Sequence, residues 1–242
     1  MQNFVALALM GAASAMVMTE QDFDFIQYIA KHNKNYKSVE EYIMRKANFD
    51  ALTVEINHLN SIQSSSVHGH NKFSDWTKAE YESILGLKNM PEPTVDPKSF
   101  APLTNAPIAN DINWVTAGKV VPVKDQAQCG SCWAFATTAS TESSWAIDYN
   151  LSTTNNTIIS ISEQQLVSCS SSFGNQGCNG GWYYYAWDYM IGTAQVSDSA
   201  YPYTSGNLGI TGKCKAVTGG VVSTIGPSPA DYVEVAANPT AM

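Results

Sequence analysis

Basic residues are scarce in this chain. Its 242 residues hold 13 Lys and Arg against 21 Asp and Glu, a formal net charge of −8. With no basic stripe, the composition argues against a nucleic-acid surface. No apolar run reaches the length of a membrane-crossing helix. One Cys-x-x-Cys pair, Cys129 to Cys132, is present and does not recur, so a zinc site lacks its other two ligands. The strand–helix–strand context of a thioredoxin-like redox pair is missing around it. Neither metal nor cofactor is therefore expected. Histidine is scarce too: His32, His58, His68 and His70 are the full set, and all precede Cys132. They read as solvated or packing residues.

Apolar residues make up 44% of the chain, enough for a globular core in one or two domains. Residues 1–15 read as a signal peptide: a short apolar run from Phe4 to Ala12, then Ala13-Ser14-Ala15 with small residues at a cleavage site. That implies an oxidising compartment, where disulfides persist. The five cysteines are Cys129, Cys132, Cys169, Cys178 and Cys214. An odd number in a secreted chain leaves one thiol over, and the other four allow three pairings.

A first helix is expected from Thr19-Glu20-Gln21-Asp22, carrying Phe23, Ile26 and Ile29 as its apolar residues. A second starts at Ser38, with Glu41 completing a capping box. Tyr42, Phe49 and Ile56 interleave with Arg45, Leu52 and Leu59 along one face of it. Glu41 and Arg45 are spaced as a helix ion pair. From Leu87 to Pro107, Pro91, Pro93, Pro97, Pro102 and Pro107 stop any helix and favour an extended linker. Ser160 to Val167 reads as another short helix. Asn150 and Asn155 head Asn-x-Ser/Thr sequons in a polar loop.

The most informative stretch is Gln126-Ala127-Gln128-Cys129-Gly130-Ser131-Cys132-Trp133, followed by a helix-compatible run to about Tyr149. Gly130 and Ser131 suit the entry to that helix and put Cys132 in its first turn. There the unpaired N–H groups and the helix dipole favour an anion, and a thiolate is the nucleophilic form of cysteine.

Cys-Gly-Ser-Cys-Trp resembles the local signature of papain- and cathepsin-type cysteine peptidases. The resemblance assigns Cys132 as nucleophile and Gln126 as side-chain donor of an oxyanion hole. It selects the pairings Cys129–Cys178 and Cys169–Cys214. It makes Gly130, Gly181, Trp182 and Tyr183 substrate-binding residues, with Gly181 pairing to the substrate backbone. Glu41, Arg45, Phe49, Ile56 and Asn60 resemble the prosegment helix of cathepsin L-type zymogens, with Leu52 where an Asn is expected. Gly69, Asn71, Phe73 and Asp75 match the second prosegment motif at its four fixed positions.

The resemblance therefore implies an α+β papain-like fold with residues 16–87 as helical inhibitory prosegment. Residues 88–107 would be a linker, cleaved for activation between Leu103 and Ala106, with extended peptide able to lie along the cleft. Residues 108–242 would hold the mostly helical half of the peptidase, with Val221–Thr224 and Ala230–Ala237 opening a β-rich half largely absent from this chain. The family's catalytic His and Asn lie beyond residue 242 on this reading, so the given stretch is expected to be inactive alone. The expected partners are peptide or protein substrates and the chain's own prosegment, with no nucleic acid, no membrane after signal removal, and a monomeric state. The expected location is the secretory pathway, lysosomal, vacuolar or extracellular. A non-catalytic homologue that binds peptidases is the alternative.

Overall fold

A computed structural model describes residues 18–62, 65–87, 90 and 111–216. The segment expected to be a signal peptide, nearly all of the Pro-rich linker with its expected cleavage site, and the two segments expected to open a β-rich half lie outside these residues. Among the described residues there are six α-helices, short 3₁₀ turns and no named strand. The chain divides into two compact units, residues 1–78 and 79–242.

The first unit is built on α1 (Glu20–Lys31) and α2 (Val39–Ile62). Thr19 caps α1 in a reciprocal box: its side chain accepts from the Asp22 N–H, and the Asp22 carboxylate accepts from the Thr19 N–H at 2.9 Å. That bond, with help from the Thr19 hydroxyl and Lys46, lowers the Asp22 carboxyl to about 2. Phe23 and Ile26, expected as apolar contacts of α1, are exposed. The inward stripe is instead Phe25, Tyr28 and Ile29, spaced three and four apart, packed with Phe49, Tyr36 and Tyr42. An aromatic nucleus of this kind selects the helix face by ring contacts, with Phe25 5.2 Å from Phe49 and 5.4 Å from Tyr42. On α2 the expected face does turn inward, with Phe49 buried and Tyr42, Leu52, Ile56 and Leu59 half-buried. The box at its start is offset. Ser38 Oγ accepts from the Glu41 N–H at 3.2 Å, but the Glu41 carboxylate reaches the Lys37 N–H at 2.8 Å.

In the second unit, α4 (Cys132–Asp148) packs on α5 (Glu163–Cys169) and α6 (Tyr183–Gly192). α3 (Lys78–Ser83) begins at the last residue of the first unit. Two adjacent rows of α4, Trp133-Thr137-Thr141-Trp145 and Ala134-Thr138-Glu142-Ala146, are buried. The hydroxyls of Thr137 and Thr141 stay satisfied by donating to carbonyls four residues back, each at 2.8 Å. Leu166, Val167, Ala186, Tyr189, Met190 and Ile161 complete the core. α5 starts later than expected. Ser160 and Ile161 stay extended, with Ile161 bridged to Ser197, and Ser162 is the cap that accepts from the Gln165 N–H.

Disulfides join Cys129 to Cys178 and Cys169 to Cys214, with Cα–Cα distances of 4.7 and 4.8 Å, and leave Cys132 free. Lys124 is shared by the buried carboxylates of Glu142 and Glu163. Burial pushes the Glu142 carboxyl up, against the opposing pull of Lys124 and the Ile161 N–H.

Candidate active site

Cys132 stands at the first position of α4 and is partly exposed. The turn before it is stitched to the 177–181 segment twice. One tie is the Cys129–Cys178 disulfide, and the other is the Gly130 N–H donating to the Cys178 carbonyl at 3.0 Å. A Cβ on Gly130 would meet that carbonyl oxygen at 2.5 Å, so the close approach requires glycine. Ser131 occupies the N-cap position but makes no side-chain cap bond. Its hydroxyl lies 2.8 Å from the Tyr203 hydroxyl instead.

Gln126 sits at the other end of the turn. Its amide nitrogen donates to the Cys129 carbonyl at 2.9 Å and to the Ile84 carbonyl at 3.0 Å, which occupies both of its protons. The 177–181 segment faces them. Trp133, buried, donates its ring N–H to the Gly177 carbonyl at 3.2 Å. Asn175 accepts from the Trp182 N–H at 2.9 Å and donates to Ser170 at the same distance. Gly181 is boxed between these two side chains: a Cβ there would come within 2.5 Å of Asn175 Oδ1 and 2.6 Å of the Trp133 ring. Trp182 and Tyr183 begin α6 half-exposed, in a ring cluster with Tyr184 and Trp187.

Residues 84–87 cross this site as a strap. Ile84 and Gly86 are buried, while Leu85 and Leu87 are exposed. The Gly181 N–H donates to the Gly86 carbonyl at 3.1 Å. A Cβ on Gly86 would lie 2.5 Å from the Gly130 oxygen and 3.0 Å from the Cys132 sulfur. The Gly86 backbone therefore lies against the thiol, which stays partly exposed. Sequence reasoning expected the cleft-lying peptide in the Pro-rich linker and passed over this strap. Its only signal was a glycine between two leucines just after a short helix.

Of the motif residues of the first unit, Asp75 is the one on which the most hydrogen bonds meet. Its buried carboxylate accepts from Lys34 Nζ at 2.7 Å, Tyr28 at 2.7 Å and Tyr36 at 2.9 Å. Burial alone would raise this carboxyl, but the three donors outweigh it and hold the group below its ordinary range. The Asp75 backbone carbonyl takes Arg45 at 3.3 Å and Asn48 at 3.1 Å. Arg45 also pairs with Glu41 at 3.3 Å. Asn60 exchanges two bonds with the backbone of His68, and Asn71 Oδ1 accepts from the Phe73 N–H. Gly69 has open space where a Cβ would stand, and nothing in the structure explains a glycine there.

The sequence comparisons follow the same division. The profile described as Papain family cysteine protease matches residues 108–239, and the Cathepsin propeptide inhibitor domain matches residues 25–81. The chain belongs to the papain family of cysteine proteases, with a cathepsin-type propeptide. It is 36% identical over 200 residues to digestive cysteine proteinase 2 of Homarus americanus, covering 80% of this chain and 58% of that protein. It is 35% identical over 189 residues to a cathepsin L-like proteinase of Phaedon cochleariae, covering 76% and 55%. Among solved structures, digestive procathepsin L 3 of Tenebrio molitor superposes with a TM-score of 0.65 at 30% identity, covering 84% of this chain and 64% of that one. The chain thus spans less than two thirds of the length of these relatives.

Proposed function

We propose that the protein containing this chain is the precursor of a cysteine endopeptidase held inactive by its own prosegment. The observation that carries this reading is the strap: its Ile84 carbonyl takes the free proton of the Gln126 amide while its Gly86 backbone lies against the Cys132 sulfur. On this reading the Gln126 amide and the Cys132 N–H form the oxyanion hole, each such donor lowering the barrier by about 2.7–4 kcal/mol. The Cys132 sulfur attacks the peptide carbonyl carbon and forms a C–S bond. The C–N bond then breaks, the amine leaves with a proton from an imidazolium, and water hydrolyses the thioester. Gly181 offers its N–H to the substrate backbone, as it does here to Gly86. Gly130 lets that backbone approach, and Trp182 and Tyr183 edge a side-chain pocket.

The same proposal takes residues 1–15 as signal peptide, 16–87 as prosegment, 88–107 as the cleaved linker and 108–242 as part of the peptidase. The two disulfides support an oxidising, secretory compartment, lysosomal, vacuolar or extracellular. Asn150 and Asn155 are exposed and available as glycan acceptors. The mature enzyme acts on peptides or proteins as a monomer, without nucleic-acid or membrane partners. All four histidines belong to the first unit, so the imidazole is not carried by residues 79–242.

The testing experiment is Cys132→Ala in the full-length protein. Turnover of a fluorogenic peptide is expected to vanish after activation, with the unfolding midpoint unchanged. Turnover that survives overturns the assignment.

A further inference from the structure

Tyr203 carries no part of the chemistry above, yet its hydroxyl sits between the two ends of the active turn. It donates to the Gln126 carbonyl at 2.9 Å and lies 2.8 Å from Ser131 Oγ. Ser131 Oγ also lies 3.4 Å from the Cys129 carbonyl, a longer contact, and the arrangement that fills both short contacts has the phenol donating to Gln126 and the Ser131 hydroxyl donating to the phenol oxygen. Ser131 stands at the N-cap of α4 with φ −109° and ψ 18°, outside the extended geometry of a capping residue, and its hydroxyl makes no cap bond. Burial also pushes the phenol pKa up, keeping the donor protonated.

The turn needs such a clamp. Ala127 has φ +49°, a left-handed conformation that costs a residue with a Cβ about 1–3 kcal/mol unless its surroundings hold it. Its N–H is held by Asp125 at 2.9 Å, and the Gln128 N–H by the Gly206 carbonyl at 3.1 Å. Gly206 lies so close under the turn that a Cβ would meet the Tyr203 ring at 2.8 Å and the Gln126 oxygen at 3.0 Å. The Tyr203 ring is itself fixed edge-on to Phe135 of α4 at 5.0 Å. Residues 203–206 thus form a platform carrying Gln126.

We propose that Tyr203 is a positioning residue for the oxyanion hole, tying the backbone of Gln126 to the residue that precedes the nucleophile. The proposal rests on the reading of Gln126 as an oxyanion donor. The test uses the full-length, activated protein and the variants Y203F, Q126A and the double variant. Three quantities are read: kcat and KM for a peptide amide, affinity for a peptide aldehyde, and the iodoacetamide alkylation rate of Cys132. In the aldehyde adduct sulfur bonds to the carbonyl carbon and the carbonyl oxygen takes the thiol proton. That oxygen then stays in the hole, whereas alkylation makes no use of the hole.

Q126A is expected to lower kcat and aldehyde affinity about a hundredfold, the range of a lost oxyanion donor. Y203F keeps the ring and is expected to lower both about tenfold, with KM and alkylation within about twofold, and to add nothing in the Q126A background. Wild-type values for Y203F, or a full further loss in the double variant, overturn the proposal. Wild-type values for Q126A overturn the oxyanion reading itself, whatever Y203F does. If Y203F folds poorly, S131A tests the bridge from its other end, with about a threefold loss of kcat expected and an unchanged kcat overturning the proposal.

Discussion

Single atoms decide much at this site, because two backbones approach each other where side chains are usually found. Gly181 has no spare volume on its Cα. Replacing it with Ala drives a methyl into Asn175 Oδ1 and the face of Trp133, both held by hydrogen bonds of their own. G181A is therefore expected to cost about 1–3 kcal/mol of stability, the usual range for overpacking, read as a lower urea midpoint in the full-length protein. A midpoint equal to wild type would mean the Trp133–Asn175 wall gives way more easily than its bonds indicate. In the first unit the sensitive group is the Asp75 carboxylate. D75N keeps one acceptor oxygen but replaces the other with an NH2 group, so the three donors Lys34, Tyr28 and Tyr36 are no longer all accepted, and it leaves the largely buried Lys34 ammonium without its anion. Breaking one side of such a pair costs about 3–5 kcal/mol, read by amide hydrogen exchange in α1 and α2.

At the scale of elements, the helical hairpin of the first unit contains a pH response that the carboxylates do not provide. The Asp75 carboxyl is held low, so its stabilising contribution is complete above about pH 4 and is lost only as pH falls below that. His70 and His32 act earlier. The His70 ring stacks on Phe49 at 3.9 Å. Thr53 spends its proton on the Phe49 carbonyl, so His70 Nε2 must donate to Thr53, leaving a buried Nδ1 with no partner. Burial lowers the His70 pKa below its ordinary 6.5, with Asp24 opposing and His32 reinforcing the shift. Burial also lowers His32, helped by Lys31 and Lys34 and opposed by Asp75. A neutral histidine in the folded unit that protonates more easily unfolded stabilises above pH 6.5 and loses that contribution as pH falls. The protection of α1 and α2 against hydrogen exchange is expected to decline between about pH 6.5 and 5, and H70Q to flatten that decline. An unchanged slope in H70Q would assign the response to other groups.

What the sequence revealed at this scale follows from what leaves a periodic trace. The cap at Ser162 came two residues after the expected start of α5, while the inward face of α2 and the start of α4 at Cys132 both sit in local patterns of a few residues. The strap does not, because it works through the carbonyls of Ile84 and Gly86, and every residue has a carbonyl. Asn48 was missed for a related reason. The motif position at Leu52 drew attention, while the bond to Asp75 comes from one turn earlier on α2. Tyr203 meets Gln126 across 77 positions, a contact no local window contains. On α1 the apolar Phe23 and Ile26 misled because aromatic packing selected Phe25 and Tyr28.

For the molecule as a whole, no histidine of residues 79–242 accompanies Cys132. A thiol near neutral pH without an imidazole partner is only about a few per cent ionised, and it has no proton to give the leaving amine. A polypeptide of residues 1–242 is therefore expected to hydrolyse no fluorogenic peptide under reducing, mildly acidic conditions, even after prosegment removal. Hydrolysis blocked by a thiol-directed inhibitor would show that another group serves as base. The bridges at 129–178 and 169–214 span 49 and 45 positions, each worth about 4 kcal/mol in the chain-entropy model. Thiol titration of the oxidised, denatured chain is expected to count one free cysteine, at Cys132.

The central claim is that the strap at Ile84–Gly86 closes the site by lying against Cys132. The most direct measurement is the iodoacetamide alkylation rate of Cys132, followed by mass spectrometry, in the uncleaved protein, in its G86A variant and after proteolytic removal of the strap. The account predicts slow alkylation in the uncleaved protein. It predicts a rate at least about tenfold faster in G86A, where the new methyl collides with the Gly130 carbonyl and lifts the strap. The fastest rate is expected once the strap is gone. Equal rates in all three would contradict it.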